Sequence, residues 1–374
     1  MRFLAFLALC CLSVLAQAQT LPQAPTIAAK SWLLLDYSTG QALASYNPDD
    51  RVEPASLTKL MTAYVVLGAL KEGKLTPTQA VPVSERAWKT PGSRMFIEPK
   101  KPVTVDELLR GMIVQSGNDA CIALAEAVAG SEEAFAQMMN REAQRLGLKA
   151  TRFANATGLS DPQHYSTARD LGALAAALIR DFPEHYPLYA LREYTYNRIT
   201  QANRNRLLWL DPAVDGVKTG HTENAGYCLV ASAKRGPRRL LSVVMGAASD
   251  GMRTQESQKL LNFGFQFFDA VKLYGKDQEV SRLRVWKGAQ NTVRAGFLED
   301  FTLSLPKGMA ENLKASLVSQ QPLLAPVLKG QRIATLKLSL DDRPYGEYPV
   351  VALETVPVAG MIGRAWDAMR LWFE

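Results

Sequence analysis

The chain has 374 residues, 47% of them hydrophobic and 21% charged, with a formal net charge of +7. That balance belongs to a folded globular protein, and the length points to two or more domains. Four cysteines are too few for a disulfide scaffold in a chain of this size, and His164, His185 and His221 stand apart, with no C-x-x-C or H-E-x-x-H, so no metal centre is expected.

Met1-Arg2 opens the chain, followed by an apolar-to-small run from Phe3 to Ala16 and then Ala16-Gln17-Ala18. A positive start, a short apolar stretch and an A-x-A site make a secretory signal, cut after Ala18. A bilayer-spanning helix would need about 20 apolar residues, more than this run supplies. A lipoprotein signal at Cys10 or Cys11 is the other reading, disfavoured by bulky Leu9 and by so short a run ahead of it. Cleavage removes Arg2 alone among the charges, leaving +6, and leaves Cys121 and Cys228 as the mature cysteines. Nothing in their spacing demands a disulfide, and free thiols are expected.

In chain order, Trp32 to Leu35 and Ala42 to Tyr46 read as two strands around a Ser38-Thr39-Gly40 turn. After Pro54 the period becomes helical, with Leu57, Leu60, Met61, Tyr64 and Leu67 on one stripe. The segment from Ser84 to Met95 reads as a loop with Pro91-Gly92-Ser93 at its tip. Thr104-Val105-Asp106-Glu107 is a capping box opening a helix. Further helices are expected over Ala120 to Ala129, over Glu132 to Leu146 with a stop at Gly147, and over Thr167 to Ile179, where Asp170 stands three residues after a Thr167 cap and is itself read as capping the helix. Strand signals return at Gly226 to Ala233 and Leu240 to Met245, before a helix from about Arg253 to Ala270.

Beyond Gly275 the texture changes. Leu283/Val285, Phe301/Leu303/Leu305, Leu313/Ala315/Leu317 and Leu336/Leu338/Leu340 alternate with the period of half-buried strands, which predicts a small β-sandwich. From Pro357, the residues Met361, Ile362, Ala365, Trp366, Met369, Trp372 and Phe373 share one helical face. That tail either docks on its own domain or lies in a membrane surface; it is too short and too charged to span one. The expected divisions are therefore 1–18 signal, 19–275 catalytic domain, 276–356 β domain and 357–374 amphipathic helix.

Three short motifs carry chemistry. Ser56-Leu57-Thr58-Lys59 stands at the start of the apolar helix, where an i, i+3 pair shares one face. A lysine whose pKa is lowered there can take the serine proton, and a backbone N–H at the helix start can meet an oxyanion. A second S-x-x-K, Ser304 to Lys307, lies in a Pro-containing strand and is read as chance. Ser116-Gly117-Asn118 offers a proton-relaying hydroxyl and an amide for a lysine and a substrate carbonyl. Ser45-Tyr46-Asn47 matches the same pattern on a hairpin strand, so that motif alone means little. In Lys218-Thr219-Gly220-His221, Lys218 supplies fixed charge, Thr219 a hydroxyl for a carboxylate, Gly220 close approach of substrate, and the His221 N–H a second oxyanion donor. No G-x-S-x-G occurs, which excludes a nucleophile-elbow hydrolase.

In this order and these settings, the motifs resemble those of the low-molecular-mass penicillin-binding proteins that are serine D-alanyl-D-alanine carboxypeptidases. The likeness extends through Pro54 to Lys59, Ser116 to Ala120, Val214 to Thr222, Tyr165 to Asp170, the β domain and the tail. It implies an α+β, β-lactamase/transpeptidase-like domain whose K-T-G strand edges a five-stranded antiparallel sheet flanked by helices. It implies Ser56 as the acylated nucleophile, Lys59 as its base, and Ser116, Asn118 and Lys218 as the polar shell. Arg204 looks like a family position near the substrate's terminal carboxylate, and Arg253 matches a family arginine close to the site; for each, a surface salt bridge is the alternative. Gly117 replaces the Asp of the β-lactamase motif, which favours the carboxypeptidases. Glu193 to Asn197 forms an E-x-x-x-N in a strand-like run and is read as coincidence. The implied partners are a peptidoglycan stem peptide, β-lactams as covalent inhibitors and a membrane surface at the tail, on the periplasmic face of the inner membrane. No cofactor and no nucleic acid are implied. A β-lactamase, a peptidoglycan endopeptidase and a non-catalytic cell-wall-binding protein are the rival readings.

Overall fold

The computed structural model describes residues 22–371, so the expected signal segment and Trp372 and Phe373 of the tail lie outside the described residues. A five-stranded antiparallel sheet organises the larger part, in the order Ala42–Tyr46, Ser31–Asp36, Arg238–Ala247, Gly226–Arg235, Val214–Thr222. The apolar run Trp32 to Leu35 is an inner strand, and its successive side chains serve opposite faces. Leu33 joins a core built with the helices, while Trp32 and Leu34 join Leu229, Leu260 and Leu261 beneath the Asp250–Phe267 helix. Val214–Thr222, which carries Lys218-Thr219-Gly220, is the sheet edge, as the resemblance implied.

The Lys59–Lys71 helix is buried nearly all round, not on one stripe alone, because helices 105–114, 118–129, 132–145 and 168–181 pack about it. An apolar helix with no polar face belongs at the centre of a domain. The Thr104 box forms as expected: Thr104 Oγ1 accepts from Glu107 N at 3.3 Å, and Glu107 Oε2 accepts from Thr104 N at 2.8 Å. Gly147, at φ +74°, follows the Glu132–Arg145 helix.

Several elements differ from expectation. Ser84 caps a short helix, Glu85–Lys89, inside the segment read as loop. Thr167 caps the Ala168–Asp181 helix as expected, its side chain accepting from Asp170 N, but the Asp170 carboxylate does not cap: it binds Ala150 N and the Thr151 hydroxyl. The helix expected to reach Ala270 ends at Phe267, and Phe268–Tyr274 is a strand paired with Phe301–Pro306. The aromatic and β-branched residues there serve a helix end as readily as a strand, and long-range pairing decides.

The change of texture read at Gly275 therefore falls on the turn after the first strand of the second unit. That unit packs the two-stranded ribbon against a five-stranded sheet in the order 279–284, 292–296, 343–352, 332–340, 313–319. Leu283, Val293, Leu303, Leu305, Leu336, Leu338 and Val350 share its core. The two units are joined at Ser304, fully buried, whose hydroxyl donates to Asp36 Oδ2 at 2.8 Å and whose N–H donates to Gln41 Oε1 at 2.6 Å. Arg238 Nε also donates to Asp36 Oδ2, at 2.8 Å.

Candidate active site

Ala55–Thr58 forms a 3-10 turn that runs into the Lys59–Lys71 helix. In a 3-10 turn residues i and i+3 eclipse, which aligns the Ser56 and Lys59 side chains more closely than an α-helix would. The turn is entered through Ala55 at φ +48°, a left-handed conformation costing on the order of 1–3 kcal/mol that the surrounding packing imposes. Gly158, at φ +83°, is part of that packing: a Cβ on it would lie 1.9 Å from Ala55 O.

Lys59 Nζ is buried and has three contacts: Ser56 Oγ at 3.0 Å, Asn118 Oδ1 at 2.7 Å and Thr157 O at 2.6 Å. Two are carbonyl oxygens, which only accept, and one is a hydroxyl, which can do either. An ammonium can donate to all three; once it loses a proton, two N–H bonds remain on the carbonyls and the lone pair turns to the Ser56 hydroxyl. Burial is the largest cause lowering the Lys59 pKa below the ordinary lysine value; Arg204 lowers it further, against Cys121 and Asp119. Lys218 Nζ, also buried, donates to Ser116 Oγ at 2.9 Å and to Thr219 O at 3.0 Å. Its pKa is pushed well down, first by burial and then by the charges of Lys59 and Arg204.

Ser116 follows the Val105–Val114 helix at φ +63°, and Gly117 precedes the Asn118–Ala129 helix. A Cβ at Gly117 would come within 2.9 Å of Asp119 Oδ1 and 3.1 Å of Met95 N, so packing excludes a larger residue here. Asn118 Nδ2 donates to Pro91 O at 2.7 Å, and Asn118 N donates to Ser93 O at 2.7 Å. The Pro91-Gly92-Ser93 tip thus reaches the site mouth as expected, where it fixes which way the Asn118 amide points.

Ser56, Gly92, Ser93, Ser116, Arg204, Thr219, Gly220, His221 and Arg253 line one cleft of about 710 Å³. A second concavity of about 520 Å³ lies by the far end of the Lys59–Lys71 helix, lined by Lys71, Arg145, Arg180 and Asp181 and by none of the motif residues. Gly220 serves packing: a Cβ there would lie 3.1 Å from Pro54 O and 3.2 Å from Ala55 Cβ, so its bareness seats the Ser56 turn against the edge strand. His221 is exposed, its ring centroid 4.1 Å from that of Tyr227.

Arg253 is buried and not a surface pair. It donates to Gly220 O at 3.0 Å, binds Asp250, and stands 5.5 Å from the centre of the Tyr227 ring. Asp250 also holds Arg206 Nε at 2.6 Å. Arg204 is exposed toward the cleft, and its charge is felt by Lys59, Lys218 and Arg253.

Four contributors were missed from sequence: the Thr157 carbonyl, the 91–93 carbonyls, Asp119 and Asp250. Asp119 accepts from the N–H groups of Met95 (2.9 Å), Phe96 (2.9 Å) and Ile97 (3.2 Å), which anchors the mouth loop. Of these, the Asn155-Ala156-Thr157-Gly158 turn and the Pro91-Gly92-Ser93 tip left turn signals in the sequence, but nothing in either named the carbonyl that acts. Glu193 is exposed on a hairpin and is not among the cleft residues, while Asn197 Nδ2 donates to Glu98 at 2.7 Å. Cys121 and Cys228 are free and buried, and burial pushes the Cys121 thiol up to about 12. Among the described residues no cluster of His, Cys, Asp and Glu could hold a metal.

A family profile described as D-alanyl-D-alanine carboxypeptidase matches residues 18–249, and one described as penicillin-binding protein 5, C-terminal domain, matches 268–358. The chain is 45% identical over 377 residues to the D-alanyl-D-alanine carboxypeptidase DacC of Escherichia coli K12, covering 99% of this chain and 94% of that one. It is 44% identical to DacA of Haemophilus influenzae over 353 residues, covering 93% and 90%. The crystal structure of penicillin-binding protein 5 from Haemophilus influenzae superposes with a TM-score of 0.85 at 43% identity, covering 90% of this chain and 99% of that one.

Proposed function

The chain belongs to the D-alanyl-D-alanine carboxypeptidase family with a penicillin-binding protein 5 C-terminal domain, and from that premise we propose how its own residues perform the reaction. The protein is a serine D-alanyl-D-alanine carboxypeptidase that takes peptidoglycan stem peptides as substrate and β-lactams as covalent inhibitors. Ser56 attacks the carbonyl between the two terminal D-alanines while Lys59 takes its proton. The Ser56 N–H and the His221 N–H face the developing oxyanion, the task that costs most when a donor is removed. Lys59 returns the proton to the leaving D-alanine through Ser116, and water then cleaves the ester.

Lys218 and Thr219 hold the edge-strand side of the substrate, Asn118 orients its amide, and Arg204 meets the terminal carboxylate. Arg253 acts through Gly220 O and Asp250 as a positioning residue. The three contacts of Lys59 carry this reading, because two carbonyls hold its other N–H bonds and the third contact sets Nζ 3.0 Å from the nucleophile's hydroxyl. The test is release of D-alanine from a stem pentapeptide together with labelling by a fluorescent penicillin. If Ser56→Ala keeps either, the assignment falls. Fast turnover of a chromogenic cephalosporin would favour a β-lactamase instead.

For the organisation of the chain, we place a signal at 1–18, the catalytic domain at 19–275, the β domain at 276–356 and a membrane-seeking helix at 357–374. The exposed Met361, Trp366 and Met369 on the Met361–Leu371 helix support an anchor on the periplasmic face of the inner membrane. No described helix is long and apolar enough to cross a membrane. Deleting 357–374 should release the protein from membranes, and retention would sink the anchor.

A further inference from the structure

We infer that the end of the β domain from which the terminal helix springs is itself a docking face for an anionic phospholipid bilayer. The inference rests on the reading that the helix seeks a membrane, and it extends that contact to the folded domain.

Three connections meet at this end, held together by backbone pairing. Trp286 bridges Leu324, Gly288 bridges Val358, and Val327 bridges Val356. Ala359 N donates to Lys287 O at 2.8 Å, and Asp367 of the helix accepts from Lys287 N at 2.6 Å, so the helix base is tied to the same platform. Leu324 (46% exposed), Leu328 (60%) and Val358 (42%) stand out from these connections beside Met361, Trp366 and Met369 of the helix. Single exposed apolar residues are ordinary, but six gathered on one platform are not.

The charge pattern selects the occupant. Segments 285–291, 320–330 and 355–366 contain Lys287, Lys329 and Arg364 and not one Asp or Glu. The carboxylates at their borders are paired: Asp367 accepts from Lys287 N, Asp277 lies 3.9 Å from Lys329, and Glu354 holds Arg294 Nε at 3.2 Å. At the opposite end of the same sheet, where Leu313 pairs with Leu340 and Tyr345 reaches the domain junction at Ser304, the turns carry Glu311, Asp341 and Asp342. Bare apolar side chains with basic residues among them match a lipid surface of negative charge, whereas a protein partner would call for a shaped, hydrogen-bonding rim.

The test uses the mature chain with an environment-sensitive fluorophore on Leu328→Cys, the native Cys121 and Cys228 being buried. Phosphatidylglycerol-containing vesicles should brighten and blue-shift the probe, and pure phosphatidylcholine vesicles should do so far less. A probe on Asp342→Cys should stay unchanged. Leu324→Ser with Leu328→Ser, both at exposed positions, should weaken vesicle partition by about tenfold while D-alanine release is unaltered. If the protein cosediments with vesicles through its helix while the 328 probe remains in water, this face is not a docking face and the helix reading survives. If the intact chain fails to bind either vesicle, both fall.

Discussion

Ser56 and Ser304 each have a lysine three residues further on, and the two regions use the same spacing in opposite ways. At Ser56 the backbone is a 3-10 turn entering a buried helix, so hydroxyl and amine meet at 3.0 Å. At Ser304 it is a strand, Phe301–Pro306, in which the serine is buried on Asp36 while Lys307 reaches outward to Asp269 at 3.9 Å. The first pair is the one proposed to pass a proton; in the second, Ser304 ties two domains together. Spacing in sequence becomes chemistry only through the backbone that carries it.

The sharpest way to break this comparison is to remove each hydroxyl. Ser56→Ala should lower D-alanine release by about 10⁴-fold or more, since the nucleophile and its base act as one unit. Ser304→Ala should leave turnover at the wild-type level. Lys59→Arg should come next, with a loss of about 10³-fold in the acylation rate, because a guanidinium cannot shed its proton to act as base. Stopped-flow penicillin acylation reads both effects.

Gly158→Ala probes the packing that makes the first pair possible. Its Cβ would collide with Ala55 O at a left-handed position, so about 3 kcal/mol or more of stability should be lost in denaturant melts, with activity falling as the turn shifts. Ser304→Ala should cost less, about 1–2 kcal/mol in the same measurement, because Asp36 keeps Arg238 and the Ser38 N–H.

pH sharpens the comparison further. With Lys59 proposed as the base, its neutral form does the work, so acylation should rise with pH through a midpoint below the ordinary lysine value of 10.5. Lys59 and Lys218 both have lowered folded-state pKa values, so between folded and unfolded values the unfolded chain binds more protons. Their cost to stability is therefore full below the folded pKa values and fades as pH rises toward 10.5. An acylation rate that is flat across this range would contradict Lys59 as base.

Much of the site was legible because its signals are local. The three motifs, the Thr104 box and the alternating strands after Gly275 each lie within a few residues. What escaped the sequence was made by distant contacts. The carbonyls of Thr157, Pro91 and Ser93 carry no side-chain signature, yet they set the directions of Lys59 and Asn118. Gly220 was read only as an opening for substrate; it lines the cleft and, by contacts the motif does not reveal, also seats the Ser56 turn. Thr167 was legible as a cap, but the Asp170 carboxylate, also read as capping, binds Ala150 N and the Thr151 hydroxyl instead. Phe268 to Ala270 looked like a helix end because the strand they belong to, Phe268 to Tyr274, finds its partner, Phe301 to Pro306, some thirty residues away. In each case the deciding atom came from another part of the chain.

The most direct measurement is mass spectrometry of the intact protein after penicillin treatment, with the adduct mapped to a peptide. One adduct on the peptide containing Ser56, absent from Ser56→Ala and unchanged in Ser304→Ala, is the predicted result. An adduct on Ser304 or on any other serine, or labelling that survives Ser56→Ala, would contradict the account.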